Sequence, residues 1–296
     1  MMTERSMIRR FYIIILLGMF FSPASKAQKV ERIAVDLWPE QNRQGETKAL
    51  KDGMMFVFPA DRRNNCGKSV IICPGGGYAR YSMNNEGFDW VPFFQGLGFT
   101  VAVLKYTLPG GNPDLPLKDA EQAMRVMKSH GGEWGVNPDS VGIMGFSAGG
   151  HLASMLTVTD KDDVRPAFAI LFYPVISMME GITHVRSHNE LMTAEASAET
   201  ERRFSSELHV GPKTPPVFIA CSNDDHTVKP KNAATFYMAM LDNERNCSLH
   251  VYPTGRHGWG FRDSFVYHDQ MVSELTRWIM CAMNKQDNKP EAVRKK

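Results

Sequence analysis

The chain has 296 residues, 43% of them hydrophobic and 22% charged, with a formal net charge of +2. That balance excludes an intrinsically disordered protein and supplies core for one large α/β domain or two small ones. It also provides no basic field to steer the chain toward nucleic-acid phosphates, and five cysteines in this length are too few for a disulfide scaffold.

At the N-terminus, Arg5, Arg9 and Arg10 precede an apolar run from Phe11 to Phe21, followed by Pro23 and then Ser25-Lys26-Ala27. A basic start, an apolar centre and small residues at −3 and −1 make residues 1–27 a secretory signal peptide, expected to be cut after Ala27. The apolar run is shorter than the roughly 20 residues of a spanning helix. No membrane attachment is therefore expected after cleavage, and the protein is expected in the periplasm or outside the cell. This leader carries four basic residues and one acidic residue, so its loss leaves a mature net charge of −1.

The mature sequence shows no internal repeat and no low-complexity linker, and reads as one domain over residues 28–283. Short β-compatible runs come first, Met54–Phe58 and Ser69–Cys73. Phe99–Leu104, Val141–Phe146, Ala167–Tyr173, Val217–Cys221 and Ser248–Tyr252 follow. Several are continuously apolar, as a central parallel strand covered on both faces requires. Between them lie helical patterns. In residues 116–129, Ala120, Ala123, Met124 and Met127 share a face. Residues 232–242 align Ala233, Phe236, Tyr237, Met240 and Leu241, and residues 266–283 stack Val272, Leu275, Ile279 and Ala282. The alternation predicts a mostly parallel wound α/β sheet with helices on both faces. Residues 177–213 are polar and lack strand signals, which predicts a small insertion over the sheet. Residues 284–296 are charged and unpatterned, a flexible tail. Cys73 and Cys221 fall in strand-like runs as small hydrophobes. Cysteine spacing offers no zinc site, and no metal or cofactor is expected.

The sharpest motif is Gly145-Phe146-Ser147-Ala148-Gly149-Gly150, between the apolar strand VGIM and a helical stretch from His151. A serine on such a strand-to-helix turn projects its hydroxyl from a strained backbone, and the flanking glycines permit close backbone approach. The alternative is a glycine-rich turn that binds phosphate. A serine nucleophile needs a base, and the base needs an orienting acid. His257 follows the strand SLHVY in a glycine-rich loop, whereas His250 alternates within a strand, His130 ends a surface helix and His151 rides on the serine helix. His209, His226 and His268 lie outside any comparable loop. Asp224 and Asp225 follow the strand VFIAC; Asp225 is preferred because it heads an Asp-x-x-Val spacing. The order Ser, Asp, His is that of the α/β-hydrolases. Pro74-Gly75-Gly76-Gly77-Tyr78 follows SVIIC, and the N–H groups of Gly76 and Gly77 with that of Ala148 are candidates for an oxyanion hole.

From Met54 to Trp278 the chain resembles the α/β-hydrolase esterases of the acetylxylan esterase-like group, a bacterial carbohydrate esterase/lipase family. The resemblance rests on PGGGY, PLKDAEQAMR, EWGVNPDSVGIMGFSAGGHLAS, FYPVIS, the aspartates of SNDDHTV, and YPTGRHGWGF. It implies Ser147, Asp225 and His257 as a catalytic triad, Gly76, Gly77 and Ala148 as oxyanion donors, and a segment with Thr183, His184, Ser187 and Asn189 that partly covers the site. The chain departs from the group at Tyr106-Thr107, where relatives often carry arginine after the tyrosine, and at Asn189-Glu190-Leu191-Met192. The implied function is an exported serine esterase removing small acyl groups, acetyl first, from carbohydrate such as xylan. The expected partner is an acetylated oligosaccharide. Tyr78, Tyr106 and Trp259 are candidate substrate-binding residues that would stack on sugar. The alternatives are a general carboxylesterase, a prolyl-oligopeptidase-type peptidase (disfavoured by the missing length for a propeller), and a non-catalytic carbohydrate binder on a hydrolase scaffold.

Overall fold

The computed structural model describes residues 32–39 and 53–284; the expected leader, and the expected tail beyond its first residue, lie outside them. In chain order come β1 (Ile33–Asp36), β2 (Met54–Phe58), β3 (Ser69–Cys73), α1 (Val91–Gly96), β4 (Thr100–Lys105), α2 (Asp114–Ser129), α3 (Gly131–Trp134) and β5 (Val141–Phe146). Next are α4 (Ser147–Thr157), β6 (Ala169–Phe172), α5 (Val185–Met192), α6 (Ala198–Arg203), β7 (Val217–Ser222), α7 (Lys231–Asp242), β8 (Cys247–Tyr252) and α8 (His268–Asn284).

The eight strands form one sheet in the order β1-β2-β4-β3-β5-β6-β7-β8. Only the β1/β2 and β2/β4 pairs are antiparallel; from β4 through β8 every pair is parallel. Sequence pattern explains the layout. SVIIC, VGIMGF and VFIACS are buried at every position, as strands covered on both faces must be, whereas IAVD at the edge alternates. That edge strand and α1 carry only three or four apolar residues in a row and were not expected from sequence. Helix α4 packs against β5, β6 and α2, and α7 against β7 and β8. In α7, Ala233, Phe236 and Met240 are buried as the pattern implies, but Leu241 turns outward and is exposed.

Strand order places the site. The chain leaves β3 for β4 on one side, then returns to β5 on the other, so the C-terminal ends of β3 and β5 flank a topological switch point. Open α/β sheets bind ligands in that crevice. The PGGGY loop leaves β3 there and Ser147 leaves β5 there. Beneath them Trp90, fully buried, has its ring 5.6 Å from Phe146 and 4.7 Å from Phe261, bracing the ends of β5 and the loop after β8 from one point.

Candidate active site

No residue separates β5 from α4, so the chain must turn from strand to helix at Ser147 itself. Its φ of +52° lies in the left-handed region, a strain of order 1–3 kcal/mol for a residue with a side chain. The turn is possible because two neighbours have none. A Cβ at Gly145 would lie 2.2 Å from the Gly149 carbonyl oxygen, and one at Gly149 would lie 2.1 Å from the Cys73 carbonyl oxygen. We therefore expect Gly149→Ala to cost roughly 3 kcal/mol, the upper end of overpacking, read as a drop in Tm together with lost activity. Gly96→Ala, where an added methyl meets nothing within 4 Å, should leave both unchanged or raise Tm slightly.

Ser147, His257 and Asp225 form a continuous hydrogen-bonded relay. Asp225 is almost fully buried just past β7, and its Oδ1 accepts the N–H groups of Thr227 and Val228, each at 2.9 Å. Its Oδ2 lies 2.6 Å from His257 Nδ1. Because a carboxylate can only accept, Nδ1 carries the proton and Nε2 is left with its lone pair. That lone pair faces the Ser147 hydroxyl at 2.9 Å. Asp224 points elsewhere, accepting from the Thr254 hydroxyl at 2.5 Å and the Arg256 N–H at 2.7 Å, which pull its carboxyl below the usual range. His151 is committed too: its Nε2–H donates to the Phe204 carbonyl at 2.7 Å and its Nδ1 accepts from the Tyr78 hydroxyl at 2.7 Å. Burial pushes its pKa down to about 4, so it stays neutral.

The loop after β3 runs beside the serine: a Cβ on Gly75 would lie 3.0 Å from Ser147 Cβ. Gly76 and Gly77 adopt φ of +137° and +67°, and neither N–H is taken by a backbone acceptor among the described residues. The Ala148 N–H belongs to the first turn of α4, where helical geometry leaves donors free. Gly76 and Gly77 directly follow the residue that touches the serine and Ala148 follows the serine itself, so these three N–H groups are the candidates to receive a negatively charged oxygen. The insertion reaches the same place. The Ser187 hydroxyl would be 4.0 Å, and the Arg186 stem 3.9 Å, from a Cβ on Gly77. His184 shares a 2.8 Å hydrogen bond with Ser187, and its pKa is lowered by burial, then by His257 and Arg186. Beside His257 a cavity of about 330 Å³ is lined by Thr254, Arg256, Trp259, Arg262 and Ser264 among others, near the low end of small-molecule sites.

The three aromatic candidates for sugar stacking are not where the sequence reading expects them. Tyr78, Tyr106 and Trp259 are all buried, with exposures of 1%, 0% and 4%. Tyr78 is held by His151, and the Tyr106 hydroxyl donates to the Pro74 carbonyl at 2.9 Å. Trp259 donates to the Ser222 hydroxyl at 3.0 Å and stacks on Phe265 with centroids 4.2 Å apart. All three are packed against protein and build the site rather than present a ring to sugar, although Trp259 also lines the cavity beside His257. Conversely, sequence reasoning did not single out Glu86 or Tyr173. The structure buries both behind the imidazole; Tyr173 lies in the FYPVIS stretch, which gives it no role of its own, and no motif marks Glu86.

A parallel-centred sheet with serine, aspartate and histidine delivered from the ends of β5, β7 and β8 is the α/β-hydrolase fold. Residues 55–240 match the BD-FAE family, and the chain belongs to it. The matched span holds Ser147 and Asp225 and stops before His257. An acetylxylan esterase of Xylanibacter ruminicola is 39% identical over 220 residues, 73% of this chain and 46% of that protein. Endo-1,4-beta-xylanase B of Butyrivibrio fibrisolvens is 28% identical over 246 residues, 77% of this chain and 38% of that protein. The chain thus spans less than half the length of these curated relatives. Among solved structures, the acetyl ester-xyloside bifunctional hydrolase of Caldicellulosiruptor lactoaceticus superposes with a TM-score of 0.77 at 28% identity, covering 84% of this chain and 96% of that one.

Proposed function

We propose that this protein is an exported serine esterase that removes small acyl groups, acetyl first, from plant carbohydrate such as xylan. The observation that carries the chemistry is the unbroken relay from Asp225 through His257 to Ser147. The Ser147 oxygen attacks the ester carbonyl while His257 Nε2 takes its proton, and Asp225 holds the tautomer that makes Nε2 the acceptor. The carbonyl oxygen, now negative, turns toward the N–H groups of Gly76, Gly77 and Ala148. His257 then returns the proton to the departing alcohol oxygen, leaving an acyl-enzyme. Water activated by the same Nε2 adds to the acyl carbon and releases the acid, restoring Ser147.

The carbohydrate substrate is supported by the names of the similar proteins above, an acetylxylan esterase and an acetyl ester-xyloside hydrolase. The expected result is acetate release from both p-nitrophenyl acetate and acetylated xylan. Turnover of the small ester alone would keep the mechanism and replace the substrate by non-sugar esters. Export has its own test. Protein recovered from the producing cell's periplasm or medium should begin at Gln28, and an intact N-terminus in the cytosol would overturn the leader.

A further inference from the structure

Glu86 contributes nothing to the relay, yet it is 4% exposed and both of its carboxylate oxygens are filled from opposite walls of the site. Oε2 accepts the N–H of Gly75, at the root of the loop that carries Gly76 and Gly77, at 3.0 Å. Oε1 accepts the Tyr173 hydroxyl at 2.9 Å. The Tyr173 oxygen in turn accepts the N–H of Gly260, in the loop that carries His257, at 2.9 Å. Tyr173 holds a left-handed φ of +36° to do this, and its ring stands edge-on to the imidazole with centroids 4.8 Å apart. The neighbouring Asn85 adds two ties to the same loop, donating to the Gly258 carbonyl at 3.0 Å and accepting from Phe261 N–H at 3.2 Å.

The hydrogen bonds also favour a charge. Each carboxylate oxygen accepts from a donor, an arrangement that suits the ionised form. Burial pushes the Glu86 carboxyl up from its ordinary value, and the Tyr173 hydroxyl, His257, the Gly75 N–H and Arg262 act against that.

We propose that Glu86 is a positioning residue of this active site, a buried carboxylate that clamps the oxyanion loop to the histidine loop and stabilises the imidazolium formed when His257 takes the serine proton. The proposal rests on the reading of Ser147, His257 and Asp225 given above. It follows from two features of the geometry. Donors to developing charge work only if they are held in place before reaction, and a misplacement of about 1 Å costs on the order of 10²-fold in rate. The Glu86–Tyr173 bridge, with the two Asn85 bonds beside it, ties the two walls to each other. Second, among the described residues the imidazole meets Asp225, Ser147 and Tyr173 and feels the charges of His184 and Glu86, with Arg256 and Arg262 lining the cavity beside it. Apart from Asp225, Glu86 is the only anion in that set, and its field favours the protonated ring.

The test compares Glu86→Gln with Tyr173→Phe on p-nitrophenyl acetate, with Ser147→Ala as control. Glu86→Gln keeps the shape but removes the charge and one acceptor. Its kcat should fall between roughly 10-fold and 10²-fold at unchanged KM, since Glu86 touches no substrate. The acid limb of its kcat/KM profile should move to lower pH, because neutral imidazole persists further down without the buried anion. Tyr173→Phe breaks the bridge and leaves the charge, so kcat should fall with the acid limb in place. A wild-type kcat in either variant would overturn the clamp. An unmoved limb in Glu86→Gln, or one that moves equally in both, would overturn the charge role. Should Glu86→Gln not fold, Tyr173→Phe alone decides the clamp. Full turnover in Ser147→Ala would instead remove the reading of the site on which the proposal rests.

Discussion

Replacing Ser147 by alanine should abolish ester hydrolysis while leaving the protein folded. Among the described residues the side-chain oxygen makes one hydrogen bond, to His257 Nε2. Alanine keeps the Cβ and meets the same strain at φ +52° as serine does, so Tm should hold. The chemistry has no substitute. Without Oγ the imidazole can activate only water, and residual catalysis comes from binding and the N–H groups around the carbonyl. In serine hydrolases loss of the nucleophile costs about 10⁶ in kcat, with a residue of roughly 10³–10⁴ over water. The expected result is therefore p-nitrophenyl acetate turnover at or near background, an unchanged melting curve, and no covalent label from a phosphonate ester that modifies the parent. Turnover of the wild-type order would leave His257 and Asp225 as an oriented base with no nucleophile, and the acyl-enzyme route would be abandoned.

What the sequence could disclose tracks how local each feature is. The buried parallel strands announce themselves because both faces are covered, so every residue of Val141–Phe146 must be apolar or glycine. The serine turn is local in its motif: a Cβ on Gly145 would clash with Gly149 four residues on, and the Gly-x-Ser-x-Gly spacing shows it, although Gly149 also answers to Cys73 on the neighbouring strand. Even the choice between adjacent aspartates has a local cause. The Asp-x-x-Val spacing is the geometry in which Oδ1 of Asp225 caps the N–H groups two and three residues on, freeing Oδ2 for the imidazole. Features set by distant partners were not legible. Tyr78, Tyr106 and Trp259 sit in or beside glycine-rich segments, where an aromatic ring reads as a surface platform, and only the packing of His151, Pro74 and Phe265 over them shows that they are buried. Glu86 reads as an ordinary surface glutamate in Asn84-Asn85-Glu86-Gly87. Its burial depends on Tyr173 from the end of β6 and Gly75 from the end of β3, contacts that no window of sequence contains. The edge strand Ile33–Asp36 failed for a different reason: four residues, alternately half-buried and exposed, carry too little apolar signal to stand out.

The paired variants Asp225→Asn and Asp224→Asn should separate by several orders of magnitude although the residues are adjacent. An asparagine at 225 must present one oxygen and one NH₂ group. The Oδ1 position already receives two backbone N–H groups, so the oxygen stays there and the NH₂ takes the Oδ2 position, facing His257 Nδ1. A donor at that point demands an acceptor, so Nδ1 gives up its proton and Nε2 carries it. The imidazole then offers a hydrogen to Ser147 where it must offer a lone pair. In triads of this kind the wrong tautomer costs about 10⁴ in kcat with the geometry intact. The loss should fall on kcat, since neither oxygen touches substrate. Asp224→Asn changes only bonds to Thr254 and the Arg256 N–H at the rim of the loop, and an amide oxygen can keep one of them. Its turnover should stay near that of the parent. Equal losses in the two variants would mean that the loop as a whole, rather than one carboxylate, orients the ring. A larger loss at 224 would reverse the assignment, and the relay through Asp225 would then be a hydrogen bond without a part in the chemistry.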